Sequence, residues 1–264
     1  MARGGIVGAI PARYASTRLP GKPLLPIAGR PMIEHVVRRV ESVSALDRAV
    51  VLTDDERIVD AVREFGGDVE MTPEDCVSGT DRIAWAARRW DCDGVINIQG
   101  DEPLIDVDGV ARLAELLGED PSVEMATLAA PFADGTAADT PLAERHADPN
   151  AVKVVTALDG RALYFSRAPI PFPRDGATNA SVAPRLHVGV YAYRRDILLR
   201  LAELAPTGLE RTESLEQLRA LEHGITIHVL DLDHPAAPGV DTPDDLARVE
   251  TLLRHRGAIP DPRS

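Results

Sequence analysis

Short, mostly apolar runs alternate with amphipathic segments along the first part of the 264-residue chain. Continuous apolar runs of this kind predict strands that are buried on both faces of a sheet. The segments between them carry apolar residues three or four positions apart, which predicts helices with one buried face. The predicted strands are residues 6–10, 49–53, 68–71 and 94–98, and the predicted helices are residues 31–42, 56–65 and 80–90. Strands that alternate with helices require right-handed crossovers, so the pattern predicts an α/β fold with a mainly parallel sheet.

The regular alternation ends after a further apolar run at residues 125–130. An antiparallel hairpin is predicted where two short runs flank Asp159-Gly160, a pair typical of tight turns. The remaining predicted elements are hairpin strands at residues 152–157 and 161–166, strands at 187–193 and 226–230, helices at 196–205, 213–223 and 243–254, and a proline-rich loop at 168–184. Neither an internal repeat nor a linker divides the chain. We therefore predict one domain over residues 1–264, with an antiparallel excursion at about residues 125–193.

The composition excludes several classes of protein. The formal net charge is -13 and 44% of the residues are hydrophobic, so the chain has the apolar content of a folded domain and lacks the basic surface of a nucleic-acid-binding protein. No apolar run approaches the roughly 20 residues of a membrane span, and no signal peptide is expected. The two cysteines, Cys76 and Cys92, have no metal-site spacing and form no disulfide framework. We expect a cytoplasmic protein that binds neither nucleic acid nor a membrane.

Lysine is scarce, because only Lys22 and Lys153 are lysine among the 29 lysine and arginine residues. So strong a bias towards arginine makes the two exceptions candidates for a specific role. Lys153 falls within a predicted strand, where an exposed side chain or an ion pair is the ordinary arrangement.

The loop after the first predicted strand carries three cations, Arg13, Arg18 and Lys22, together with the hydroxyls of Ser16 and Thr17. In an open α/β sheet, ligands bind outside the carboxyl ends of the strands, so this loop has a binding position. Bidentate arginines and one compact lysine charge suit a polyphosphate. The loop matches neither the dinucleotide fingerprint nor the P-loop pattern. A solvated basic loop is the alternative interpretation, but the position after the strand favours phosphate binding.

Two aspartates are candidate metal ligands. Asp101 follows the predicted strand at residues 94–98, where Gly100 lets the backbone turn and Pro103 prevents the strand from continuing. Magnesium in proteins is typically held by one or two carboxylates together with phosphate oxygens and water. Asp241, just before the last predicted helix, is the natural second ligand. An ordinary turn residue is the alternative interpretation of Asp241.

Several other polar residues have ordinary structural explanations when each is taken alone. Residues 78–82 open a helix, where serine, threonine and aspartate are common caps. His187 and Tyr191 lie four positions apart on one strand face, which more often indicates packing than catalysis. Arg167 ends a predicted strand, and residues 216–217 fall within a predicted helix.

Motifs along most of the chain match one known family. The segments are IPARYASTRLPGKPL, SGTDR, NIQGDEP, DPNAVKVV, ALYFSRAPIP, HVGVYAYR, LEQLR and GVDTPDDL, in order from residue 10 to about residue 246. They resemble the 3-deoxy-manno-octulosonate cytidylyltransferase family, also called the CMP-Kdo synthetases; the first and third segments are long and specific. The resemblance implies a doubly wound α/β fold of the nucleotide-diphospho-sugar transferase type, with a small antiparallel element that helps to form a homodimer.

The resemblance also implies a role for each matching residue. CTP would be bound by Ala12, Arg13, Arg18, Lys22, Ser78 and Arg82. The acceptor acid would be bound by Gln99, Arg167, His187, Tyr191, Glu216 and Gln217. Asp101 and Asp241 would hold Mg²⁺, the implied cofactor, and they would form the catalytic set together with Arg13 and Lys22.

The implied reaction moves CMP from CTP to 3-deoxy-manno-octulosonate and releases pyrophosphate. The departures from the family pattern concern the acceptor: Leu186 stands where a basic residue is frequent, Phe172 where tryptophan is common, and Gly208 where proline is usual. One alternative is a related enzyme that acts on a phosphonate such as phosphonoformate in natural-product biosynthesis, because the arginine bias suggests a high-GC genome and some such bacteria lack lipopolysaccharide. A second alternative is a catalytically silent nucleotide-binding protein, against which the retained catalytic set counts.

Overall fold

The structure is a computed structural model that describes residues 4–15, 19–132, 142–174 and 182–255. Its strands are β1 (Gly5–Pro11), β2 (Pro26–Ile27), β3 (Arg30–Pro31), β4 (Arg48–Thr53), β5 (Asp68–Met71), β6 (Cys92–Asn97), β7 (Met125–Pro131), β8 (Lys153–Thr156), β9 (Ala162–Ser166), β10 (Arg185–Arg194) and β11 (Ile227–Asp231). Its helices are α1 (Met32–Glu41), α2 (Glu56–Glu64), α3 (Gly79–Ala87), α4 (Val107–Glu119), α5 (Leu142–Ala147), α6 (Arg195–Glu203), α7 (Gly208–Glu213), α8 (Gln217–Glu222) and α9 (Pro243–His255). A 3₁₀ turn covers Lys22–Leu24.

The chain forms two compact units, and the first of them is a parallel α/β unit. It comprises the residues up to 111 and those from 237 onward. Four of its strands lie in the order β6-β1-β4-β5 and run parallel, with α1, α2 and α3 as the connections, while the short strands β2 and β3 form a separate antiparallel pair. The predicted fold class, α/β with a mainly parallel sheet, is therefore confirmed.

The buried faces of these elements follow the apolar pattern of the sequence. The interior residues of β1 are buried throughout. Helix α1 buries Met32, Val36, Val37 and Val40, which recur at helical spacing and are at most 1% exposed. Full burial of an aliphatic side chain of this size contributes about 1.5–3 kcal/mol, so packing on the sheet is the main source of stability for α1.

The end of the chain belongs to the first unit because α9 packs on its early residues. Ile27 and Met32 share one apolar cluster with Leu104, Val240 and Val249. This cluster fixes the segment just before α9, which carries Asp241, within the first unit.

The second unit, residues 112–236, is built around β7 and contains the antiparallel elements. Strand β7 pairs with β11 in parallel and with β10 antiparallel. Strands β8 and β9 form the predicted hairpin, in which Val154 lies opposite Phe165 and both are buried. The single domain expected from the sequence stays a prediction, since one domain can contain two compact units.

Two helices differ from the sequence prediction. The predicted helix at residues 213–223 is wrong at its start, because the chain forms α7 and α8 separated by Ser214 in the left-handed conformation (φ 51°, ψ 50°). A serine there ends α7, since a left-handed residue cannot continue a right-handed helix. Helix α4 was not predicted, although Val110, Leu113 and Leu117 are fully buried at helical spacing. None of the helices in the described part of the chain is long and apolar enough to cross a membrane.

Candidate active site

A cavity of about 440 Å³ opens in the first unit where the chain leaves β1 and β6. Its volume is in the range of pockets that hold a small ligand. The residues singled out by sequence that line it are Ala12, Arg13, Lys22, Ser78, Gln99, Asp101 and Asp241. They come from the loop after β1, the start of α3, the loop after β6 and the segment before α9. The parallel sheet therefore brings residues from distant parts of the sequence to one opening at the carboxyl ends of its strands.

The ammonium of Lys22 lies between two carboxylates in the wall of this cavity. Its Nζ donates to Asp101 Oδ2 at 2.6 Å and to Asp241 Oδ1 at 2.9 Å. Lys22 is 8% exposed, whereas the side chains of Asp101 and Asp241 are 40% and 59% exposed. Burial by itself lowers the pKa of Lys22, but the charges and hydrogen bonds of the two aspartates outweigh burial and raise that pKa above its ordinary value. The ammonium is therefore charged at neutral pH.

A glycine makes the turn that brings Lys22 to this position. Gly21 has a φ of 69°, in the left-handed region that favours glycine. A Cβ at Gly21 would lie 3.1 Å from the ring of Tyr14, and the amide of Gly21 donates to the carbonyl of Tyr14 at 3.0 Å. Pro23 then fixes the first turn of the 3₁₀ segment that begins at Lys22.

Main-chain contacts hold the two aspartates near each other. The amide of Val240 donates to the carbonyl of Asp101 at 3.0 Å, which joins the segment before α9 to the loop after β6. Gly100 approaches β1 so closely that a Cβ there would lie 3.1 Å from the carbonyl oxygen of Pro11. Main-chain contacts therefore bring Asp101 and Asp241 close to each other.

Arg13 and Ser78 connect the loop after β1 with the start of α3. Arg13 Nη2 donates to the carbonyl of Cys76 at 2.6 Å. The hydroxyl of Ser78 accepts from the amide of Asp81, and the Asp81 carboxylate accepts from the amide of Ser78, each at 3.0 Å. This capping box orders the first turn of α3, whose partial positive charge faces the part of the cavity lined by Ser78 and Gly79.

Arg18 and Arg82 are the two arginines, besides Arg13, that the resemblance assigns to CTP. Arg18 lies outside the described residues. Arg82 is fully buried and does not line the cavity; its Nη2 donates to Asp54 Oδ2 at 2.5 Å, and its Nη1 donates to the hydroxyl of Thr72. In the described structure Arg82 therefore stabilises the ends of β4 and β5, and its contact with nucleotide stays a prediction.

Glu102, which the sequence patterns did not single out, directly follows Asp101 but is not among the residues that line the cavity. Burial and, to a smaller extent, the charge of Asp101 raise the pKa of its carboxyl to about 8, although the charge of Lys22 opposes the shift. A carboxyl with such a pKa is mostly protonated at neutral pH and can donate a hydrogen bond. The sequence signal for Glu102 was its position directly after Asp101, whereas its raised pKa depends on burial and charge that the sequence does not show.

His187 and Tyr191 lie together in the second unit, on β10. Their rings are 5.3 Å apart, and the His187 ring meets Phe165 edge-on at 5.0 Å. The Nε2 atom of His187 lies 3.0 Å from the hydroxyl of Thr127. Burial lowers the pKa of His187 to about 3, and burial together with Tyr193 and Glu216 raises the pKa of Tyr191 well above its ordinary value. Both side chains are therefore neutral at physiological pH.

The other predicted acceptor residues of the second unit lie around the break between α7 and α8. Arg167 donates to the carbonyls of Glu213 at 2.6 Å, Ser214 at 3.2 Å and Pro149 at 2.9 Å. Glu216 immediately precedes α8, and Gln217, the first residue of α8, is 5% exposed. The guanidinium of Arg167 thus holds the left-handed turn that precedes these two residues, and a direct contact with the acceptor stays a prediction for all of them.

The expectation for Lys153 is wrong, since the side chain is neither exposed nor held by an ion pair in the described structure. It is 0% exposed, and its Nζ donates to the carbonyls of Asp148 at 2.9 Å and Arg167 at 2.6 Å. Burial lowers the pKa of Lys153, an effect that the more distant charges of Asp148 and Glu213 oppose. The physical reason is that main-chain carbonyls of two neighbouring loops converge on the start of β8 and satisfy the ammonium.

The donor set of the cavity suits a hard divalent cation that brings part of its own coordination shell. Among the described residues, no group of three or more histidine, cysteine, aspartate or glutamate side chains is arranged to hold a metal by itself. The carboxylates of Asp101 and Asp241 nevertheless converge on one point, as their shared contact with Lys22 shows. Magnesium needs only one or two carboxylates when phosphate oxygens and water complete its shell, so these residues fit it.

Comparisons with known proteins identify the family of this chain. The cytidylyltransferase family model matches residues 7–227. A 3-deoxy-manno-octulosonate cytidylyltransferase of Syntrophotalea carbinolica is 49% identical over 94% of this chain and 98% of its own length, and one of Myxococcus xanthus is 51% identical over 95% and 97%. The solved structure of a CMP:2-keto-3-deoxy-manno-octonic acid synthetase complexed with CTP has a TM-score of 0.88 at 43% identity and covers 96% of this chain and 99% of its own. This chain therefore belongs to the 3-deoxy-manno-octulosonate cytidylyltransferase family.

Proposed function

We propose that this enzyme transfers CMP from CTP to 3-deoxy-manno-octulosonate and releases pyrophosphate. The observation that carries the proposal is the meeting of Arg13, Lys22, Asp101 and Asp241 at one cavity. Cations for a polyphosphate and carboxylates for a divalent ion are the two components that nucleotidyl transfer requires. The names of relatives that are about half identical over nearly the whole chain favour this acceptor over a phosphonate.

In this mechanism the enzyme supplies positioning and charge neutralisation. Arg13 and Lys22 bind the triphosphate, with Arg18 as a further contact that the sequence suggests. A hydroxyl oxygen of the acceptor attacks the α-phosphorus in line and loses its proton to solvent, a new O–P bond forms, and the bond to the β-phosphate oxygen breaks with departure of pyrophosphate. The lysine and arginine neutralise the charge that spreads over the phosphate oxygens in the transition state, so no covalent enzyme intermediate is required.

Asp101 and Asp241 would hold Mg²⁺ in this enzyme. When bound there, the ion supplies Lewis acidity that lowers the pKa of the acceptor hydroxyl and masks charge on the transferring group. The chain's own contribution is to keep two carboxylates converged through the main-chain contact between Val240 and Asp101.

The remaining assignments belong to the same proposal. Ala12, Ser78 and Arg82 contact the base or ribose, and Gln99, Arg167, His187, Tyr191, Glu216 and Gln217 bind the acceptor. The active form is a cytoplasmic homodimer, in keeping with the family resemblance; sedimentation of the purified protein tests the dimer.

Pyrophosphate release tests the proposal directly. We expect release with CTP, Mg²⁺ and 3-deoxy-manno-octulosonate, and much less with ATP, GTP or UTP in place of CTP. Release with phosphonoformate but not with 3-deoxy-manno-octulosonate would select the phosphonate enzyme. Binding of CTP without release for any acid would select a silent nucleotide-binding protein.

A further inference from the structure

Lys22 occupies the position from which a divalent cation would contact both aspartates. Its Nζ lies 2.6 Å from Asp101 Oδ2 and 2.9 Å from Asp241 Oδ1. The lysine side chain is 10% exposed, so it is packed into the wall of the cavity and does not sample solvent as a surface lysine does. In the ligand-free chain one of the two negative charges of the carboxylate pair is therefore balanced from within the protein.

An ammonium and a divalent cation compete for this position. Magnesium binds carboxylate oxygens at about 2.0–2.1 Å, so an ion held by both aspartates would lie within a few ångströms of the Lys22 ammonium. Charges of +1 and +2 at such a separation repel each other strongly in a partly buried site. The metal gains full access to the two carboxylates only when the ammonium has another anion to bind.

We propose that Lys22 is an internal counter-ion that excludes free divalent metal until the triphosphate of CTP arrives. The phosphates attract the ammonium away from Asp101 and Asp241, and the two carboxylates then become available to the ion. This inference rests on the proposed function for the binding of CTP at this cavity. Its consequence is that metal and CTP bind with positive coupling, whereas metal alone binds poorly.

Thermodynamic linkage fixes the form of this coupling. If CTP increases the affinity of the aspartate pair for metal by some factor, metal must increase the affinity for CTP by the same factor. Couplings of this kind are typically about 5- to 150-fold. Removal of the ammonium should abolish most of this factor by raising the affinity for metal in the absence of nucleotide.

The test measures Mn²⁺ binding to the full-length, nucleotide-free protein by the loss of the free-ion EPR signal. We expect weak binding by the wild type and binding at least about tenfold tighter by Lys22→Met, within the usual size of such couplings. Lys22→Arg keeps the positive charge and should still exclude Mn²⁺. Addition of Asp101→Asn to Lys22→Met should remove the gained binding, which would locate it at the aspartate pair.

Arg13→Met is the matched control, because it removes one positive charge from the same cavity while Arg13 contacts the carbonyl of Cys76 and neither aspartate. An equal gain in Mn²⁺ binding for Arg13→Met would overturn the proposal in favour of a general effect of cavity charge. Equal Mn²⁺ affinity of wild type and Lys22→Met would overturn it as well. If Lys22→Met does not fold, Lys22→Gln provides the same comparison.

This readout separates the inference from the proposed function. Mn²⁺ binding without nucleotide requires no turnover, and pyrophosphate release by the wild type measures the transfer reaction independently. An active wild type that binds Mn²⁺ tightly without CTP would defeat the inference alone, whereas a protein without transfer activity would defeat the proposed function alone.

Discussion

Lys22 and Lys153 are both buried, one in each compact unit, but their ammonium groups are held by partners of different kinds. Lys22 donates to two carboxylates, whose charges raise its pKa in spite of burial. Lys153 donates to two main-chain carbonyls, and burial lowers its pKa. In the proposed function, carboxylates keep a positive charge in place where a phosphate would bind, whereas the carbonyls use the ammonium of Lys153 as a structural link between loops. Burial alone therefore does not identify the functional lysine; the charge of its partners does.

Replacing each lysine by methionine tests this difference between Lys22 and Lys153. The largest effect on catalysis is expected at Lys22. Lys22→Met should lower kcat by about 10²–10³-fold, as loss of one charge-stabilising donor typically does. Its thermal stability should change little, because the two aspartates remain partly exposed. Steady-state pyrophosphate release at saturating CTP measures the first effect, and calorimetry measures the second. Near-normal kcat in Lys22→Met would remove the catalytic role of this lysine.

Lys153→Met should have the opposite profile. Methionine fills similar space but removes the ammonium donor from the carbonyl of Arg167 and leaves the carbonyl of Asp148 with only the amide of Ala151, which should lower the free energy of unfolding by about 1–3 kcal/mol. Turnover per folded molecule should remain within about threefold of wild type, since a lost structural contact acts mainly on stability. Urea unfolding and the same pyrophosphate assay provide the two measurements. A large loss of kcat in a stably folded variant would contradict the structural role.

The difference between the lysines marks the limit of what the sequence could predict. The loop position of Lys22 after a buried strand indicated phosphate chemistry, and the position of Asp101 at a strand end was the basis for predicting it as a metal ligand. Local sequence could not show that Lys22 meets partners 79 and 219 positions away, because such contacts arise from the tertiary fold. The two acceptors of Lys153 are main-chain carbonyls. Because every residue type has a carbonyl, no pattern of side chains in the sequence predicts these contacts.

The fold was predictable to a similar extent. Periodicity predicted the parallel strands and the β8–β9 hairpin, because burial on both faces and a tight turn leave clear patterns. It failed at Ser214, where contacts of Arg167 with the carbonyls on either side of the break stabilise a left-handed serine. It also failed at Glu102, since protonation of a carboxyl depends on burial and on the charge of Asp101, which only the structure reveals.

Glu213 is a charged residue of the second unit that, like Lys153, holds neighbouring residues in place. Its carboxylate accepts from the hydroxyl of Ser166 at 2.7 Å and from the amide of Arg167 at 2.9 Å, next to the turn that leads to Glu216 and Gln217. Glu213→Gln should raise KM for the acceptor by about tenfold and leave KM for CTP unchanged, because misplaced binding groups weaken substrate positioning. Initial rates with each substrate varied separately measure the two constants. An equal rise in both KM values would indicate general unfolding instead.

The lysines should also affect alkaline stability with opposite signs. The folded pKa of Lys153 is lowered, so between that value and the ordinary lysine pKa of about 10.4 the unfolded chain binds more protons and stability rises with pH. The deficit of Lys153→Met relative to wild type should therefore grow as pH rises through this window. The folded pKa of Lys22 is raised, so its contribution is complete below the ordinary value and is lost above it. Urea titrations at about pH 7 and about pH 10 compare the variants with wild type; a deficit of Lys153→Met that shrinks with pH would contradict this sign.

The smallest effect is expected at His187, which is partly buried and, like Lys153, has an uncharged partner. With a pKa lowered to about 3 by burial, and with the hydroxyl of Thr127 at 3.0 Å, its ring stays neutral where an ordinary histidine, with a pKa of about 6.5, would titrate. The ratio of kcat/KM for the acceptor between wild type and His187→Gln should therefore remain constant from about pH 5.5 to about pH 8. A ratio that changes near pH 6.5 would show that His187 titrates in the working enzyme. In that case a charged partner must reach His187 when the acceptor binds, and the rule that neutral partners serve structure in the second unit would not hold for this residue.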